Sequence, residues 1–133
     1  MAAKTLVVPP RLIAALICRS LRFNGRYWTL WRVSHVLRAR TFPHYVERLM
    51  VYLKLGSVRP GQVLAARVSL FEAGTDLMLA THVTDLSPPD NSGTTDGHFP
   101  LSDLTFPAAG LYDVQVDVEG VLLDTFSVIV EQK

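Results

Sequence analysis

The sequence predicts an all-β chain, a two-sheet antiparallel sandwich of about eight strands, and three observations carry that reading. Runs of β-branched, aromatic and aliphatic residues recur along the chain, Gly, Pro and Asn fall between them, and no long stretch keeps a helical period. At 133 residues the chain has the length of one domain, so residues 1–133 are read as a single unit with one core. A composition of 49% hydrophobic and 19% charged residues is too apolar for a disordered chain.

The first strand is expected over Arg11–Arg22 and the second over Tyr27–Arg38, joined at Asn24-Gly25, a pair that favours a two-residue hairpin turn. Such a turn sets Phe23 opposite Arg26 and Leu21 opposite Trp28. One face then gathers Leu12, Ala14, Leu16 and Cys18 against Leu37, His35, Val33 and Trp31, an apolar set suited to the space between two sheets. The other carries Arg11, Ile13, Ile17, Arg19 and Leu21 against Arg38, Val36, Arg32, Leu30 and Trp28, arginine mixed with bulky apolar groups. A bulge would swap these faces locally. The third strand, Tyr45–Leu55, turns Leu49, Val51 and Leu53 inward and Arg48, Met50, Tyr52 and Lys54 outward, which continues the arginine-rich mixture.

Arg59-Pro60-Gly61 breaks the chain before the fourth strand, Gln62–Phe71, and Ala73-Gly74-Thr75-Asp76 turns it into the fifth, Leu77–Leu86. A longer loop from Ser87 to Gly93 leads to the sixth, His98–Phe106. In the seventh, Leu111–Val118, Tyr112, Val114, Val116 and Val118 alternate with Asp113, Gln115 and Asp117, one side apolar and the other polar. A three-residue turn at Glu119-Gly120-Val121 starts the eighth, Leu122–Glu131, and pairs Val114 with Phe126 and Tyr112 with Val128. That register puts Asp124 on the inner face opposite Val116, where alternation alone has no use for a carboxylate.

The run Gly110-Leu111-Tyr112-Asp113-Val114 resembles the Gly-x-Tyr-x-Val stretch that opens a late strand in immunoglobulin-like domains. The resemblance implies an immunoglobulin-like or jelly-roll-like sandwich, with the Tyr112 hydroxyl bonded to nearby backbone. The chain as a whole is similar to a family of bacterial proteins of about this length known only as a domain of unknown function. The likeness rests on the apolar strand ending at Cys18, the hairpin over Asn24-Gly25, Phe42-Pro43, and the closing Gly110-Leu111-Tyr112 and Glu119-Gly120 elements. It implies a fold and transfers no active site. Trp28, Trp31 and the arginine-rich first half depart from its pattern.

Charge is distributed unevenly. Residues 1–67 hold twelve basic side chains against Glu47 alone, and residues 68–133 hold Lys133 against eleven acids, so the halves carry +11 and −10 within a chain of net charge +1. Arginine interleaved with aromatics has the composition of a protein interface. Function is therefore expected in a non-catalytic protein-interaction or assembly module using Arg11, Arg19, Trp28, Leu30, Arg32, Arg38, Arg48, Met50 and Tyr52. The partner would be an acidic protein surface or a second copy docking basic sheet to acidic sheet. The competing expectation is that these arginines pair internally with the acids of the second half. A nucleic-acid-binding β-domain is the second reading, since a basic sheet with aromatics could hold phosphates and stack bases. A carbohydrate-binding module with Trp28 or Trp31 as its platform is the third.

No catalytic, cofactor or metal pattern is expected. His35, His44, His82 and His98 have no metal-ligand spacing, and Asp85, Asp90, Asp96 and His98 lack the order of a calcium loop. No phosphate-binding Gly-rich loop or small-molecule substrate site is read. Lys4 before an apolar stretch ending at Cys18 is faintly like a lipoprotein signal, but Pro9-Pro10-Arg11 interrupts it and Leu16-Ile17 are too bulky. No run is long enough to span a bilayer. The lone Cys18 suits a reducing compartment, so a cytoplasmic protein without membrane contact is expected.

Overall fold

The computed structural model describes residues 9–88 and 92–133. Lys4 of the signal-like stretch and Asp90 of the loop cluster lie outside them. The described residues form ten strands and no helix: β1 Arg11–Cys18, β2 Ser20–Phe23, β3 Trp28–Trp31, β4 Val36–Ala39, β5 His44–Gly56, β6 Leu64–Glu72, β7 Met78–Leu86, β8 Thr95–Phe106, β9 Gly110–Val118 and β10 Val121–Gln132. The chain is thus all-β, but with ten strands in three sheets rather than eight in two. A three-stranded sheet runs β1-β5-β8, a five-stranded sheet runs β4-β10-β9-β6-β7, and β2-β3 form a separate two-stranded ribbon. No helix among the described residues is long and apolar enough to cross a membrane.

The two larger sheets share one core. Val51, Leu53, Leu55, Phe99, Leu101 and Phe106 from the first meet Val68, Leu70, Tyr112, Val114 and Val116 from the second, all buried. Phe106 stands edge-on to Tyr112 with ring centroids 4.9 Å apart, so the contact crosses from one sheet to the other. The inward set expected for β5, Leu49, Val51 and Leu53, is buried, as is every second residue of β9 from Tyr112 to Val118.

The extra strands arise because the two long N-terminal runs each break. The expected Arg11–Arg22 divides at Arg19 into β1, which pairs β5, and β2, which leaves the sheet. The expected Tyr27–Arg38 divides after Trp31, where Arg32 takes a left-handed φ of 54°, and β4 then crosses to pair β10 in parallel. The Asn24 turn also differs. Asn24 Oδ1 accepts the backbone N–H groups of Arg26 at 2.8 Å and Tyr27 at 2.9 Å, so four residues close the ribbon. Phe23 therefore pairs Trp28 rather than Arg26, and Leu21 pairs Leu30 rather than Trp28.

The inner face expected for the first hairpin is corrected accordingly. A bulge between Leu12 and Ala14 turns Leu12, Ala15 and Ile17 toward the core and leaves Ile13 and Leu16 exposed. Cys18 and Leu37 are buried as expected, whereas Trp31, Val33 and His35 lie outside. At the other end, Phe126 pairs Val114 and Val128 pairs Tyr112, the register read from sequence. A second bulge, between Leu122 and Asp124, brings Asp124 opposite Val116 yet exposed, with its Oδ1 accepting the Thr125 N–H at 2.8 Å. The carboxylate thus caps a peptide group in the part of β10 that precedes its pairing with β4, a charge of the kind that blunts a sheet edge.

Candidate partner-binding surface

The β2-β3 ribbon does not extend either sheet. It lies across the outer face of the three-stranded sheet, because one of its faces is aromatic and finds aromatic neighbours there. Tyr52 and His98 project outward from β5 and β8, and the Trp28 ring packs on both, with centroids 5.9 and 5.4 Å away. Phe23 closes the cluster at 5.0 Å from Trp28. Tyr52 donates to Asp96 Oδ2 at 2.8 Å, and burial first, then that bond, holds its phenol protonated well above the usual range. The Trp28 indole Nε1 is buried without an acceptor among the described residues.

This third layer changes the meaning of the outward aromatics. Trp28, Leu30, Met50 and Tyr52 are half-buried, and the ribbon itself occupies the platform that Trp28 and Tyr52 would have offered to a partner. The opposite face of the ribbon is the solvent surface. There Arg19, Arg22 and Arg32 line a cleft of about 660 Å³ with Ser20, Leu21 and the exposed Trp31. The ribbon is tied at its base by the Arg19 N–H to the Trp31 carbonyl, 3.1 Å, and just below it by the Ser34 N–H to the Ile17 carbonyl, 3.0 Å. These two bonds, with the left-handed turn at Arg32, direct Arg19 and Arg32 to a shared rim.

A second cleft continues from that rim, where Arg19 and Arg32 face Ser34, Arg38 and Lys133 above the buried Cys18 and Leu49. Burial pushes the Cys18 thiol up, so it stays protonated and lends the cleft no negative charge. Of the nine residues singled out from sequence, Arg19 and Arg32 converge, and Arg38 lies across the second cleft. Arg48 is exposed on β5. Arg11, at the far end of β1 and paired with Gly56, is about 26 Å of strand away from Arg19. Trp31, which alternation placed on the side expected to be buried, and Arg22, which was counted among the bases without being given a face, also belong to the surface.

Among the described residues one ion pair is within 4 Å, Arg38 Nε to Glu131 Oε2 at 3.4 Å, and both side chains are well exposed. Its partners are register neighbours on β4 and β10. The acids of β8 that share a sheet with the basic strands are engaged by tyrosines, Asp96 by Tyr52 and Asp103 by Tyr45 at 2.6 Å. No group of three or more His, Cys, Asp or Glu suited to a metal ion occurs among the described residues.

Comparison with solved structures finds a Pseudomonas fluorescens alkylpurine DNA glycosylase, AlkC, bound to DNA containing an abasic site analog, at 16% identity and a TM-score of 0.49. The match covers 92% of this chain and 30% of that one, so the chain spans under a third of that protein's length. No curated protein matches. The sequence model of DUF6941, described as a family of unknown function, matches residues 14–131, and the chain belongs to that family.

Proposed function

We propose that this chain is a non-catalytic protein-interaction module that docks an acidic partner surface on the solvent face of the β2-β3 ribbon. The observation that carries the reading is the gathering of Arg19, Arg22 and Arg32 around exposed Trp31, with no carboxylate lining the cleft. Arg and Trp dominate the energetics of protein interfaces because they combine charge or polarity with large contact area. The cluster also repels itself while empty, and an anionic partner relieves that repulsion.

The same reading treats the fold as an immunoglobulin-like sandwich carrying an added ribbon. Its support is the Tyr112 hydroxyl, which donates to the Ala108 carbonyl at 2.6 Å, the bond expected of a tyrosine corner. A cytoplasmic setting agrees with the buried, unpaired Cys18.

The test is fluorescence anisotropy of a labelled poly-glutamate peptide against the full chain, with single-stranded oligothymidine as the competing probe. Saturable binding of the peptide, lost at high salt and in Arg22→Glu/Arg32→Glu, supports an acidic protein partner. Tight binding of the oligonucleotide with no binding of the peptide replaces this reading with the nucleic-acid one. Binding of neither probe at low salt ends both.

A further inference from the structure

We infer that the acidic surface this ribbon fits is present on the chain itself, so that a second copy docks head to tail. The inference rests on the ribbon being the binding face, and it names the occupant. The charge halves of the sequence interleave in the two larger sheets, yet the ribbon carries arginine without acids and β9 carries Asp113 and Asp117 without bases. The ribbon lies outside the three-stranded sheet, and the five-stranded sheet lies on that sheet's other side. With about 10 Å per packed layer, the ribbon and the outer face of the five-stranded sheet are about 20 Å apart, more than twice the roughly 8 Å screening length at physiological salt. Where the ribbon's rim comes nearest that sheet, at Arg38, the neighbouring acid Glu131 is already paired with Arg38.

The outer face of the five-stranded sheet is suited to receive them. Its β9 row presents Asp113, Gln115 and Asp117, with Asp85 exposed on β7 and Glu119 at the β9-β10 turn. Arg67, the register neighbour of Asp117, is the one unpaired base in these rows, since Arg38 already holds Glu131. Exposed Val83, Leu111 and Leu122 stand among the acids, as exposed Trp31 stands among the arginines. Both surfaces thus combine apolar area with opposite charge, the pairing that favours a specific contact over mere attraction.

The two surfaces face opposite ways, so the contact is heterologous and repeats from copy to copy into a ring or an open chain. The ribbon is small beside a standard interface of about 800 Å² per partner, and the association is accordingly weak and salt-sensitive.

Sedimentation velocity of the full chain across protein concentration, at low and physiological salt, tests this. The expected result is concentration-dependent association at low salt that weakens at least about tenfold at physiological salt. Arg22→Glu/Arg32→Glu, which makes the ribbon acidic, and Asp113→Lys/Asp117→Lys, which makes the sheet face basic, are each expected to be monomeric. Mixed in equal amounts they associate again, because each reversed face then meets its complement. Circular dichroism establishes that each variant is folded. Should either variant unfold, the milder Arg22→Gln and Asp117→Asn are used, with partial loss expected in each. A wild-type chain that stays monomeric at low salt overturns the inference, as does a folded pair of reversals that fails to associate on mixing. Poly-glutamate binding to a monomeric wild type would sink self-docking alone and leave the ribbon's role intact, whereas loss of both sinks the two together.

Discussion

In the β9-β10 hairpin every second residue of β9, from Tyr112 to Val118, reaches the core, whereas in the β2-β3 ribbon no side chain does. Both are antiparallel pairs closed by short turns with a positive-φ glycine, Gly120 in one and Gly25 in the other. The difference lies in what each meets. β9 has β6 on its far side and a facing sheet above it, so one face is buried and the other wet. The ribbon meets the outside of a finished sheet through Trp28 and Phe23, and both of its faces are left partly accessible. Identical local pairing rules thus yield a core element in one place and a surface layer in the other, and of the two only the surface layer carries arginine.

Replacing Phe106, fully buried and edge-on to Tyr112, tests the core side most strongly. Phe106→Ala is expected to remove about 3–5 kcal/mol of stability, read as a lower urea midpoint. Trp28→Ala tests the ribbon side and is expected to cost less, about 1–3 kcal/mol, because the ring is only half-buried. Its signature is local: amide exchange over residues 20–31 accelerates strongly while that of β9 is little changed. Equal acceleration in both hairpins would show that the ribbon is part of the core's cooperative unit, contrary to the comparison.

A pH series sharpens the contrast. Tyr52 is held neutral in the fold, its titration moved above the ordinary value of 10.0, so the stability it contributes is complete below that pH and is lost as pH rises through the folded value. Alkaline titration is therefore expected to loosen the ribbon, and Tyr52→Phe, which cannot ionise, is expected to flatten the loss. An unchanged alkaline profile in Tyr52→Phe would assign it elsewhere. The smallest effect belongs to Asp124→Ala. Removing an exposed cap on the Thr125 N–H is expected to cost about 0.5 kcal/mol while raising aggregation in light scattering, since the edge of β10 is then less protected.

Strand content, turn positions and the inward set of β5 and β9 were legible in the amino-acid order because period-two alternation and turn chemistry act over a few residues. The β9-β10 register was legible for the same reason, and Asp124, anomalous by alternation, is explained once the bulge and the capped Thr125 N–H are seen. The candidate site was half legible. Arg19 and Arg32 follow from the charge count, but Trp31 was assigned to the buried side and Arg22 to neither face.

The sequence alone determined that this chain is β-rich, where most of its turns fall, and that its charge is split between halves, since each is a property of residue type and spacing. Only the tertiary structure decided that the first hairpin breaks at Arg19 and Arg32 and lies across the outer face of a sheet. That choice turns on Trp28 meeting Tyr52 and His98, residues 24 and 70 positions away in sequence, and no local rule reports contacts over such separations. The same layering puts the ribbon and β9 on opposite sides of the three-stranded sheet, but it also sets Arg38 and Arg67 beside acids of the five-stranded sheet and Asp96 and Asp103 beside β5, so the charge split in sequence becomes one in space only in part.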